Sequence, residues 1–192
     1  MMGCEFGQRN EWHFEQSLDW HLLDRQDEEG EAHRRLHAFF KAANALYLQQ
    51  PSLWQRDDSW DGFSWIEPDA ADENILLYRR IDKRGRELVV AVNFAPVLRE
   101  NYRIGVPRPG RYEELFSTDR IEFGGTGRLN PPRTSEYVPC HRFEQSIQTD
   151  LPPMSALILK RTRTYPPRKH ATPCVCDTEN QRSPKIEQKV KE

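Results

Sequence analysis

The sequence predicts a mostly β chain, an antiparallel β-sandwich or barrel preceded by one amphipathic helix. Two observations carry this. Seven short apolar runs lie between residues 63 and 160, each bounded by turn residues, with no helical periodicity between them. Strands spaced in that way pair antiparallel and form two-layer or barrel folds. Upstream, Leu36, Phe39, Phe40, Ala43, Leu46 and Tyr47 recur at the spacing of one helix face.

Taken in order, residues 1–29 alternate short apolar runs with Gly, Asn, Gln and Asp. That pattern predicts a strand end followed by a long loop of the kind that carries function. The helix is predicted over 31–49, and Pro51 ends it because proline lacks the amide that another turn needs. Strands are predicted at 63–66, 74–81, 88–94, 102–106, 112–117, 146–151 and 156–160. Asp82-Lys83-Arg84-Gly85 separates two of them as a hairpin loop, and Pro107, Pro109 and Gly110 separate two more. The run LVVAVNF (88–94) is nearly all apolar, so that strand should be covered on both faces. YEELF (112–116) is mixed and is expected nearer an edge. Past Arg163 the composition turns to Pro, Lys, Arg, Gln, Glu and Thr, with Val175 and Ile186 among the few aliphatics. Such a segment buries too little to offset chain entropy. The expected division is therefore 1–50, an all-β domain at 51–162, and a disordered tail at 163–192.

Composition excludes several classes of function. A net charge of -2 balances 28 basic against 30 acidic residues, without the basic stripe that neutralises phosphates. Nucleic acid is not an expected partner. Mean hydropathy is -0.86, and the sequence has neither an apolar run long enough to cross a bilayer nor a signal-peptide pattern. A membrane is not an expected partner either, and the cytoplasm is the default location. Cys4, Cys140, Cys174 and Cys176 are too scattered for a disulfide framework, and Cys174 and Cys176 too close for a zinc knuckle. His33 and His37 sit four apart on the helix, a spacing that suits a shared metal. The Glu that a zinc protease motif places beside the first His is missing, so they read as two exposed histidines. No metal and no cofactor is expected.

Chemistry-bearing residues concentrate before the helix. Glu5, Glu11, Glu15 and Asp19 supply carboxylates, and a pair about 5 to 5.5 Å apart would suit a retaining glycosidase. Loop spacing cannot fix that distance, and such residues also cap helices and accept backbone amides. Trp12 and Trp20 lie among Gln8, Asn10, Glu11 and Asp19. A pyranose offers an apolar face to an indole and hydroxyls to amides and carboxylates, so this mixture suits sugars. The alternative, rings that anchor the loop to the helix beneath, stays open. Trp54, Trp60 and Trp65 bracket Asp57, Asp58 and Asp61. A second sugar platform is one reading of them; the expected one is packing between helix and sandwich, where large aromatics dominate burial.

These residues carry a family resemblance. MGCEFGQRNEW (2–12) followed by SLDWHLL (17–23) resembles the last strand-and-loop segment of the catalytic barrel in bacterial 1,4-alpha-glucan branching enzymes, glycogen-forming members of the alpha-amylase superfamily. ALYLQQPSLW (45–54), GFSWIEPDAADENILLYRR (62–80), ELVVAVNFAPVLRENYRIGVPRPGRYEELFSTD (87–119), FGG (123–125) and LPPMSALILKR (151–161) follow in the family's order. The resemblance covers about residues 1–161 and implies the last strand, loop and helix of a (β/α)8 barrel, then a C-terminal antiparallel β-sandwich. It implies cleavage of an alpha-1,4 glucan and transfer of the segment to a 6-hydroxyl, through a covalent glucosyl intermediate and without a cofactor. Barrel sites lie at the carboxyl ends of the strands, where loop 3–20 would sit. The family's catalytic Asp, Glu and Asp come from loops after the fourth, fifth and seventh strands, all before residue 1. No catalytic role therefore passes to Glu5, Glu11 or Asp19. A supporting, substrate-binding role passes to Glu5, Gln8, Trp12 and Trp20.

The implied partners are alpha-glucan, as glycogen or amylose-like chains, and the amino-terminal barrel portion of the same enzyme. The chain alone is expected to be inactive, and the alternative is a non-catalytic glucan-binding or interaction module. The family phrase normally continues a strand upstream and stops close to Leu159 or Lys160. An internal methionine at Met1 or Met2, and a tail without family counterpart, are the corresponding expectations.

Overall fold

The computed structural model describes residues 2–164; most of the segment expected to be a disordered tail lies outside them. A 3-10 turn at Cys4–Phe6 leads into loop 8–19, then the single turn α1 (His21–Asp24) and the long helix α2 (Glu28–Gln49). Helix α2 begins three residues earlier than 31 because Asp27 caps it, its carboxylate accepting the Gly30 amide at 2.9 Å. Glu28, Glu29 and Glu31 in the first turn complement the positive end of the helix dipole. Where the sequence led to a strand end, the chain instead makes the Cys4–Phe6 turn between Gly3 and Gly7, whose φ values are 93° and 73°. Only glycine adopts that left-handed backbone readily, and among the described residues no strand lies alongside to pair with it.

Among the described residues eight strands follow: β1 (Phe63–Glu67), β2 (Ile75–Ile81), β3 (Glu87–Asn93), β4 (Arg99–Val106), β5 (Gly110–Ser117), β6 (Arg133–Thr134), β7 (Gln145–Leu151) and β8 (Ser155–Thr164). One sheet has the order β1-β2-β3-β8-β5-β6, and β4 and β7 form the second. All pairings are antiparallel. β3 and β8 sit in the middle of the larger sheet, and β8 runs to Thr164, beyond the run expected at 156–160. β6 escaped the sequence reading because Arg133-Thr134 has no apolar alternation to see.

Period-two alternation builds the core. Leu77, Val89, Ala91, Leu157 and Leu159 from the larger sheet meet Ile104, Val106, Ile147 and Leu151 from the smaller, all buried. The other face of β3 is covered too, since Leu88 and Val90 are also buried; this is why LVVAVNF lacks polar alternation. Cover on that side comes from α2 and the turn after it. Phe39 lies 6.1 Å from the ring of Phe116 and 5.7 Å from that of Phe123. Lys160 Nζ donates to Gln50 Oε1 at 3.1 Å, and Ser52 Oγ to the Arg86 carbonyl at 3.0 Å. β5 lies one strand from the edge, beside the two-residue β6, as its mixed composition suggested.

Candidate functional site

The site is built on loop 3–20 against the first half of α2. Glu5 turns back on its own turn, its Oε2 accepting the Gly3 amide at 2.9 Å. Phe6 is wholly buried. Its ring stacks under Trp20, with centroids 5.0 Å apart at 29°, and meets the edge of His37 at 6.5 Å. His33, also buried, contacts the Phe6 carbonyl through Nδ1 at 2.7 Å. A carbonyl oxygen can only accept, so Nδ1 carries the hydrogen.

Gln8 closes the excursion that follows. Its Oε1 accepts the Asp19 amide at 2.9 Å, and its Nε2 donates to the Asn10 carbonyl at 2.9 Å. Asn10 Nδ2 in turn donates to Asp19 Oδ2 at 2.9 Å. Residues at both ends of the loop are thus cross-braced, and an ion pair from Arg9 ties it to Glu29 of α2. Glu29 also pairs with Arg25 at 2.8 Å, while the hydrogen bond from Arg25 and the Gly30 amide hold the Asp27 carboxyl well below the usual carboxylate range.

On this braced base, aromatic surface faces outward. Trp12 is 43% exposed and Trp20 48%, with Phe14 at 75% beside them in the chain. Glu11 and Glu15 are exposed as well. Of the four predicted binding residues, Gln8 and Glu5 serve as internal braces, and Trp20 both anchors on Phe6 and shows half its surface. Trp12 stands outside the hydrogen-bond network. Such a surface can stack sugar rings and bond their hydroxyls; Glu5 and Asp19 each spend an oxygen on the loop itself.

Two expectations are corrected. His33 is not an exposed helical residue: it is buried under the loop, where its Nδ1 meets the Phe6 carbonyl. Its signal was available, one turn before Leu36 on the apolar stripe. Trp54, Trp60 and Trp65 do not pack between helix and sandwich. They are 42%, 84% and 46% exposed, because β1 is an edge strand and α2 covers the β5 and β8 side instead. Trp60 rests on the edge of Phe63 at 6.2 Å, and Phe63 stacks on Tyr78 at 5.4 Å. Among the described residues no cluster of three or more His, Cys, Asp or Glu is arranged to hold a metal ion, and no helix is long and apolar enough to cross a membrane.

The chain is similar to known proteins over most of its length. The 1,4-alpha-glucan branching enzyme GlgB of Rhodospirillum rubrum is 38% identical over 160 residues, covering 83% of this chain and 21% of that enzyme. The GlgB of Halothermothrix orenii is 38% identical over 162 residues, 83% of this chain and 25% of that enzyme. GlgB 1 of Xanthomonas euvesicatoria is 39% identical over 160 residues, 82% and 21%. The chain therefore spans about a fifth to a quarter of the length of these relatives. A crystal structure of alpha-amylase from H. orenii is also similar, with a TM-score of 0.38 and 16% identity over 74% of this chain and 22% of that one. The family model described as the alpha amylase C-terminal all-beta domain matches residues 65–162, which run from within β1 to within β8. On that match, and with two antiparallel sheets packed over this span, the chain belongs to the alpha amylase C-terminal all-beta domain family.

Proposed function

We propose that this chain is part of a 1,4-alpha-glucan branching enzyme of glycogen biosynthesis, working in the cytoplasm, in which loop 3–20 forms one wall of the glucan cleft. The observation that carries the reading is the cross-braced loop presenting Trp12 and Trp20, each almost half exposed, beside amides and carboxylates. The names of the relatives and their 38% identity over 83% of this chain support it. The catalytic carboxylates, as the resemblance implies, belong to the part of such an enzyme that this chain does not span. Here the loop residues hold the acceptor or donor sugar while those carboxylates cleave and transfer it.

A chimera tests this. The chain joined behind the rest of the R. rubrum enzyme, in place of the matching segment, should lower the iodine absorbance of amylose as the relative's own segment does. The chain by itself should leave that absorbance unchanged. A silent chimera beside an active control, or branching by the chain alone, contradicts the proposal.

One observation favours a second reading, a glucan-binding module without catalysis. Trp60, Trp65 and Phe63 line an open cavity of about 500 Å³ with Asp57, Asp58 and Arg80, and Trp60 keeps 84% of its surface in solvent. Loss of glucan retention on Trp60→Ala, with loop 3–20 intact, would favour this module over the cleft wall.

A further inference from the structure

We propose that His33 is a positioning residue, setting the seat of the Trp20 indole through the backbone and ring of Phe6. The inference rests on the reading of loop 3–20 as a glucan-binding wall. His33 projects from α2, the longest rigid element beside the loop, and its side chain is only 11% exposed. Its Nδ1–H meets the Phe6 carbonyl across 27 residues of sequence at 2.7 Å. Phe6, in turn, is the floor on which Trp20 stacks at 5.0 Å. A displaced Phe6 would carry the indole with it, since stacked rings move together in a packed interior.

Past Trp20 a second tie exists, Arg34 Nη1 of α2 donating to the Leu23 and Arg25 carbonyls, so Arg34 holds the α1 side of the indole and His33 the Phe6 side. Gln8, Asn10 and Asp19 bond one another, so they fix the loop's own shape but not its height above the helix. Arg9 reaches Glu29, but its side chain is 74% exposed, and ion pairs of that kind hold geometry weakly. The His33 bond is buried, and a donor withdrawn there would leave the Phe6 carbonyl unpaired. Glu29 and His33, four residues apart on α2, therefore hold the amino-terminal side of the loop at a weak outer point and a strong inner one. Gly7 fits this arrangement: its φ of 73° favours glycine, and a Cβ there would press on Leu36 at 3.1 Å and lie 3.5 Å from His33 Nδ1.

The test compares the full chain with His33→Leu, which keeps bulk without the donor, and His33→Asn, whose amide nitrogen can take the place of Nδ1. Amide exchange and maltoheptaose binding are read together. For His33→Leu, exchange of the 6–8 amides should quicken about tenfold or more, and maltoheptaose affinity should fall about fivefold. Exchange in β3 and β8 should stay at the wild-type rate, and His33→Asn should recover most of both losses. Wild-type exchange in His33→Leu, or no recovery in His33→Asn, overturns the inference. If exchange responds and recovers but the wild-type chain never binds maltoheptaose, His33 keeps its positioning role and the glucan reading alone is lost.

Discussion

Single residues decide both the loop and the connections around the sandwich. Asp119 is 5% exposed and accepts from the Thr126 amide, the Thr126 hydroxyl and the Arg128 amide at 2.9, 2.7 and 2.9 Å. Burial alone would raise its pKa, but these bonds outweigh it and hold the carboxyl below its ordinary value. A folded value depressed in this way contributes stability that is complete above the unfolded pKa of about 3.9 and is lost as pH falls through the folded value. Asp119→Asn should therefore cost about 1 to 3 kcal/mol at pH 7, read by urea unfolding, and the gap from wild type should close in acid. On the loop, Trp12→Ala and Trp20→Ala should each weaken maltoheptaose binding about three- to tenfold; unchanged affinity in both would remove the indoles from the site. At this scale the sequence made the right residue types visible but not their duties. Glu5 and Gln8 look like sugar ligands in the sequence, and only the fold reveals that their oxygens receive the Gly3 and Asp19 amides. Local acceptor bonding of this sort depends on a backbone path that spacing cannot supply.

Among the elements, α2 is the hinge of the arrangement, bonded to the loop at one end and to the sandwich at the other. Its attachment to the sheet depends on the Phe39, Phe116 and Phe123 cluster. Alongside that cluster, Leu36, Phe39, Val92, Phe123 and Met154 line an open groove of about 810 Å³. Phe39→Ala should cost about 3 kcal/mol or more if the gap stays open and less if neighbours collapse into it. Amide exchange should quicken through 36–46 ahead of β3. The apolar stripe showed where this helix lies, because burial on one face writes its period directly into sequence, and short apolar runs bounded by turn residues showed seven strands. The start at Glu28 was hidden because the capping carboxylate of Asp27 sits among other acids. The pairing of β4 with β7, far apart in sequence, was hidden because register depends on the partner and not on the strand alone.

At the scale of the whole molecule, two sheets close over one apolar layer, and Ile147→Ala in that layer should lose about 2 to 5 kcal/mol, visible as a lower thermal midpoint. The sandwich was legible from strand spacing, and the family match over 65–162 bears it out. The loop's outward aromatic surface was legible only as composition. The measurement closest to the central claim is migration of the full chain in a native gel cast with amylopectin, against the Trp12→Ala, Trp20→Ala double variant. The account predicts that the wild-type chain is retarded and that the double variant runs close to its rate in a glucan-free gel. Equal migration of the wild-type chain with and without amylopectin, or undiminished retardation of the double variant, would contradict it.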